Sequence, residues 1–299
     1  MTNKSTLHPR SLHLGRYDLD ALCSCLPALS RFVMCNEYGN ITIDFSNSDA
    51  LLTLNQALLK FFYHIDFWEI PKGYLCPPVP GRADYLHYLA DLLMKETPLE
   101  VHSAQIKVLD IGCGANCIYP ILGSQIYNWS FVGVDIDVLS IKTANLLIKS
   151  NKCISSKIKT RLQKNKKAIF EGIIQPHDKF TLSMCNPPFH ASMQQALQGS
   201  TRKVNNLNKG KVKQAVTLNF AGQEHELCCL GGEISFLKQM IKESVQYADQ
   251  ILWFTSLVSK SENLGPLKKL LKQLNVPKVK VIKMQQGQKT SRLIAWSFR

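Results

Sequence analysis

From residue 105 onward the chain alternates short β-branched runs with helical segments, and that alternation leaves few folds open to it. Residues 106–110 (IKVLD), 131–135 (FVGVD), 158–162 (IKTRL), 180–185 (FTLSMC) and 251–255 (ILWFT) read as buried strands. Residues 139–149 and 233–247 carry helical spacing between them. Strands fed by helices predict a parallel sheet covered on both faces, which explains why these runs are apolar rather than alternating. Two last strands, 278–284 (KVKVIKM) and 293–298 (LIAWSF), are separated by too few residues for a crossover and should form an antiparallel hairpin. The expected fold is therefore α/β, doubly wound, with a mostly parallel seven-stranded sheet ending in that hairpin.

The front of the chain has a different texture. Residues 48–62 (SDALLTLNQALLKFF) open on Ser48 or Asp49 as a helix cap and then repeat Leu and Phe at helical spacing. Residues 71–81 (PKGYLCPPVPG), with four prolines and two glycines, read as a stiff loop, and helical spacing resumes over 85–94. This helix-rich region, residues 1–95, is expected to cover one face of the sheet and to contact the substrate. Residues 96–299 would form the main domain, with a basic insert at about 190–231.

Composition narrows the class. With 45% apolar and 19% charged residues the chain is globular. No apolar run approaches the ~20 residues that span a bilayer, and MTNKSTLHPR has no apolar core, so neither a membrane span nor a secretory signal is expected and the cytoplasm is the expected compartment. Ten cysteines occur without any CxxC spacing, so no metal is expected and the thiols should pack as small apolar groups. The net charge of +14 fits a polyanionic partner. It is concentrated in acid-free stretches: nine cations between Asp137 and Glu171, then Arg202, Lys203, Lys209, Lys211 and Lys213 within 179–223, then everything after Glu262. Any one stretch can simply solvate a surface; three together favour phosphate contacts.

Two segments carry chemistry. In KVLDIGCGA, Gly112 and Gly114 follow a strand and let backbone approach a ligand. Asp135 ends the next strand, placed to accept hydrogen bonds from both ribose hydroxyls of a nucleotide or nucleoside. Asp110 at the loop's entrance would repel a pyrophosphate but suits a cationic ligand such as S-adenosylmethionine. The alternative is a tight turn that binds nothing. In FTLSMCNPPFH, Asn186-Pro187-Pro188-Phe189 follows another strand. The prolines stiffen the segment and donate no N–H. The Asn186 side-chain oxygen and the Pro187 carbonyl can accept both hydrogens of one amino group, and Phe189 offers a face for stacking. The alternative is a loop in which Pro-Pro merely stops a strand.

The glycine loop, Asp135 and NPPF together resemble a class I, Rossmann-like methyltransferase acting on adenine N6. LHPRSLHLGRYD (7–18), GYLCPPVPGRADYLHYLADLL (73–93), VLDIGCGANCIYP (108–120), CNPPFHAS (185–192), WFTSLVSKSENL (253–264) and QGQKTSRLIAWSF (286–298) extend the resemblance over nearly the whole chain. They are similar to the bacterial family that methylates N6 of adenine 1618 in 23S ribosomal RNA, and to its eukaryotic relative acting on U6 small nuclear RNA. The resemblance implies S-adenosylmethionine as donor, held by Arg82, Asp110, Gly112, Gly114 and Asp135, with the target adenine held by Asn186, Pro187, Pro188 and Phe189. It implies 23S ribosomal RNA or a large-subunit assembly intermediate as partner. The ribosomal branch is favoured because the added domains of the spliceosomal relative have no counterpart here. A general base is not required, since the amine proton becomes acidic only once nitrogen is alkylated; His190 is expected to cap the loop or touch RNA. Protein glutamine-N5 methyltransferases, which typically carry Tyr where Phe189 stands, and a non-catalytic RNA-binding protein on the same fold are the rival readings.

Overall fold

The computed structural model describes residues 7–190, 222–286 and 289–299. The front region holds α1 (Leu19–Cys25), a short hairpin of β1 (Val33–Cys35) and β2 (Ile41–Ile43), α2 (Ser48–Tyr63) and α3 (Val79–Glu96). Asn47, one residue before the expected Ser48 or Asp49, caps α2: its side-chain oxygen accepts from the Asp49 and Ala50 amides at 2.9 and 3.2 Å. The stiff loop is also shorter than its composition suggests, because α3 begins at Val79. Pro80 is tolerated there, since first-turn amides have no helical partner to lose.

The sheet region follows as β3 (Lys107–Ile111), α4 (Ile118–Ile126), β4 (Ser130–Asp135), α5 (Val138–Ser150), α6 (Lys152–Ser155), β5 (Ile158–Leu162) and β6 (Phe180–Cys185). After the undescribed segment come α7 (Glu224–Leu227), α8 (Gly232–Ser244), β7 (Ile251–Val258), α9 (Leu264–Gln273), β8 (Lys278–Gln286) and β9 (Lys289–Ser297). The seven strands run in the order β5–β4–β3–β6–β7–β9–β8. Strands β3 to β7 are mutually parallel, and β9 runs antiparallel to both β7 and β8. The expected mostly parallel sheet with a terminal hairpin is thus present.

Alternation along each strand feeds two cores. Val108, Leu182, Trp253 and Leu293 join Leu58 of α2 and Tyr85, Leu86 and Leu89 of α3 on one face. Leu109, Val132, Phe254 and Trp296 join Leu237 and Ile241 of α8 and Leu267 and Leu271 of α9 on the other. The front region therefore shares a core with the sheet. Strand order reverses at β3, which has β4 on one side and β6 on the other. A crevice opens at the carboxyl ends of the strands at such a switch point, and ligands bind there in open α/β sheets.

Candidate active site

The crevice is a cavity of about 560 Å³ bounded by the ends of β3, β4 and β6, a volume within the range that holds a small ligand. Its floor is the loop after β3. The amides of Gly112 and Cys113 both donate to the Val134 carbonyl, at 2.8 and 2.9 Å, folding the loop back over β4. Gly112 and Gly114 sit at φ +76° and +65°, a region other residues rarely adopt. A β-carbon on Gly112 would meet open space, so the loop leaves room above its backbone.

Asp135 closes the floor. Its carboxylate accepts from the Gly114 amide at 2.9 Å and from the Asp137 amide at 2.9 Å. Asp137 in turn caps α5 by accepting from the Ser140 amide at 2.7 Å, and it receives the Tyr74 hydroxyl at 2.9 Å. On the α3 side, Arg82 donates to the Tyr119 hydroxyl at 3.0 Å. Asp110 lies beneath the loop, fully buried, and neither carboxylate oxygen has a hydrogen-bond partner among the described residues. Burial, reinforced by the charge of Asp135 and opposed by Arg82, raises its pKa to about 8.

Asn186 and Pro188 of the Asn186–Phe189 elbow form the opposite wall. The elbow leaves β6 at Cys185, whose carbonyl accepts from the Ser256 hydroxyl at 3.4 Å. One residue pair deeper, the Thr255 hydroxyl donates to the Ser183 carbonyl at 2.8 Å and lies 3.0 Å from the Tyr85 hydroxyl. Asn186 lines the cavity, and its side-chain oxygen is buried without a hydrogen-bond partner among the described residues.

Among the residues expected from the sequence, Arg82, Gly112, Gly114, Asp135, Asn186 and Pro188 line this one cavity. Asp110 sits below it. Pro187 is buried and Phe189 half-buried, and neither is part of the wall. Arg202, Lys203, Lys209, Lys211 and Lys213 lie outside the described residues.

A further wall comes from the end of the insert expected at about 190–231 and from the acid-free stretch before Glu171, in neither of which a motif marked the residues that face the cavity. Residues 222–230 cross between the two sides as a strap. The Gly222 amide donates to the Gly73 carbonyl at 3.0 Å, and the Glu226 carboxylate accepts from the Leu75 amide at 3.0 Å and the Gln223 amide at 2.8 Å. At the elbow, the His190 amide donates to the Leu227 carbonyl and its carbonyl accepts from the Cys229 amide, both at 3.0 Å. Glu226, Cys228 and Cys229 thereby line the cavity, as do Lys166 and Lys167 from the loop after β5. Of the wall residues the sequence reading missed, Tyr119 could have been found, because it falls within the GANCIYP segment.

A sequence model of an RNA methyltransferase family matches residues 1–299. The ribosomal RNA large subunit methyltransferase F of Psychromonas ingrahamii is 63% identical, covering 99% of this chain and 96% of that protein. The protein of the same name from Desulfotalea psychrophila is 57% identical over 98% of this chain and 94% of its own length. Among solved structures, the catalytic domain of hMettl16 in complex with MAT2A 3′UTR hairpin 1 superposes with a TM-score of 0.82 at 28% identity, covering 99% of this chain and 96% of that one. The N-terminal domain of human METTL16 in complex with SAH gives 0.77 at 25% identity, covering 98% and 99%.

Proposed function

Since the chain belongs to the RNA methyltransferase family over its full length, we propose that it methylates N6 of adenine 1618 in 23S ribosomal RNA, using S-adenosylmethionine, on the free RNA or on a large-subunit assembly intermediate in the cytoplasm. The relatives named for large-subunit ribosomal RNA support the substrate class. The observation that carries the chemistry is the buried oxygen of Asn186, without a hydrogen-bond partner among the described residues, on the wall opposite the glycine loop. A buried acceptor without a donor costs about 1–3 kcal/mol, and an arriving amino group repays it.

The residues present fit the donor: a loop with open space over Gly112, a carboxylate at the end of the next strand, and unpartnered acid oxygens below. Gly112, Gly114 and Asp135 would hold it, with Arg82 and Asp110 toward its charged end. The donor supplies an electrophilic methyl on a sulfonium. The chain's own work is orientation and polarisation. Asn186 and the Pro187 carbonyl accept the two N6 hydrogens, turning the nitrogen lone pair toward the methyl. Phe189, half-buried and outside the wall, is assigned to stacking on the purine from the sequence motif alone, and the purine must be unpaired or flipped to enter. Arg202, Lys203, Lys209, Lys211 and Lys213 are assigned to the RNA phosphates by their charge in the sequence alone.

Asn186→Ala tests this. Turnover on ribosomal RNA should fall by roughly 10²–10³, the usual loss for one polarising group, while donor affinity stays within about twofold. Equal methylation by the variant, or label entering protein rather than RNA in the parent, overturns the assignment. Mapping N6-methyladenosine in ribosomal RNA from cells lacking the gene checks the position.

A further inference from the structure

The far edge of the sheet carries a second concentration of charge, remote from the cavity. A groove of about 550 Å³ between α9 and β8 is lined by Lys268, Lys272, Asn275, Val276 and Val279. Lys268, Lys269 and Lys272 are exposed on α9, while Leu267 and Leu271 of the same helix are buried. Further along β8, exposed Lys283 pairs directly with Arg292 of β9. Side chains on a strand alternate faces, so Lys283 and Arg292 point to the same face as Val279, the face that α9 covers. No carboxylate lies within ion-pair distance of these cations among the described residues. None occurs in the sequence after Glu262.

This arrangement works against the fold. Lys268 and Lys272 are like charges one helical turn apart, and Lys283 and Arg292 are like charges directly opposed across a ladder; both placements destabilise. Lysines on an edge strand guard against sheet-to-sheet pairing, which accounts for Lys283 but not for the lysines of α9. A polyanion removes both repulsions at once. Neutral, partly apolar Asn275, Val276 and Val279 between the lysines leave room for sugar, so the groove matches a nucleic-acid backbone.

We propose that the α9–β8 edge is a second RNA-backbone site, contacting a segment of the substrate RNA away from the target adenine. This rests on the RNA methyltransferase reading above. Four strand spacings of about 4.8 Å separate β3 from β8, and Val279 pairs with Trp296, two residues along β9 from Ile294, which pairs with Ser256 beside the Cys185 end of β6, so the two sites stand roughly 20 Å apart. A short stem-loop held at the cavity does not reach the groove; a longer folded RNA does.

The test compares the parent with Lys268→Gln/Lys272→Gln/Lys283→Gln on two probes, a transcribed domain of large-subunit ribosomal RNA and a minimal hairpin carrying only the target loop. For the long RNA, affinity should fall about tenfold, and the slope of log K against log salt should lessen by about two to three, as expected for three lost phosphate contacts. Hairpin affinity and donor affinity should not change, the melting temperature should rise slightly as the two repulsions are relieved, and the triple Arg variant should bind like the parent. An unchanged salt slope on the long RNA, an equal loss on both probes, or selective loss of binding to anionic vesicles instead overturns the proposal. A parent that binds both RNAs but methylates neither would sink the functional reading alone, leaving the binding comparison intact.

Discussion

The two walls of the cavity are built on opposite principles. On the donor side nearly every polar group is paired within the wall: Gly112 and Cys113 to Val134, Gly114 to Asp135, Asp135 to Asp137, and Asp137 to Ser140 and Tyr74. On the acceptor side the backbone is anchored by Ser256 and by the strap at His190, yet the Asn186 oxygen is buried with no donor among the described residues. Apart from Asp110 and the Ser140 hydroxyl, buried without partners among the described residues, the donor wall is finished before anything binds. The acceptor wall holds an unmet hydrogen bond that the substrate amine completes, so its energy appears as the reacting groups come together. Prepaid order suits a ligand that is always the same small molecule; an unmet acceptor suits a group that must be selected.

That contrast is broken if the walls exchange phenotypes. After Asn186→Ala, the largest effect is expected from Asp135→Ala, which removes the acceptor for the Gly114 amide and for donor hydroxyls together. Donor Kd should rise about 100-fold, since each hydrogen bond to a charged group is worth about 1.5–3 kcal/mol, with kcat at saturating donor falling less than tenfold. Calorimetry beside single-turnover assays separates the two; a loss confined to kcat would mean that this side also does chemistry.

Asp110→Asn sharpens the comparison at the donor-side carboxylate left unpaired among the described residues. The folded protein keeps a proton on Asp110 that the unfolded chain has released between about pH 4 and 8, given a folded value of about 8. The native state then binds more protons than the unfolded state, so stability contributed by this group falls as pH rises through that window. The Asn variant lacks the loss. Its melting temperature should exceed the parent's by a margin that opens above pH 4 and levels off near pH 8. If Asp110 meets the donor, donor affinity falls in the same variant; unchanged affinity would leave it a buried structural acid. A melting temperature lower than the parent's at pH 8 would contradict the assignment of its charge state.

The smallest effect is expected from Ser256→Ala. Its 3.4 Å bond to the Cys185 carbonyl is long and competes for the hydroxyl proton with the Leu257 carbonyl at 3.1 Å, and a neutral bond contributes about 0.5–1.5 kcal/mol. Turnover should drop at most about fivefold with donor Kd unchanged, measured by initial rates on RNA. A larger loss would show that the elbow depends on β7 more than its geometry implies.

Much of this was legible in the amino acids. Strand ends at Asp135 and Cys185, the glycine turn and the proline-stiffened elbow depend on side-chain period and on the allowed angles of Gly and Pro, which act within a few residues. The same local rules misplaced the start of α3, because proline reads as a breaker although the first turn accepts it. They also missed the hairpin of β1 and β2, whose three-residue strands are too short for a period to declare itself.

Sequence by itself determined that this chain makes a doubly wound sheet with a glycine loop and an Asn-Pro-Pro-Phe elbow at neighbouring strand ends. Tertiary structure alone decided that Glu226 would reach Leu75 across 151 residues to wall the cavity, that Asp110 would be sealed beneath the loop rather than lie on its surface, and that the lysines of α9 would share a face with Lys283. Each of those outcomes depends on which distant surfaces meet and exclude water, and no window of neighbouring residues contains that information.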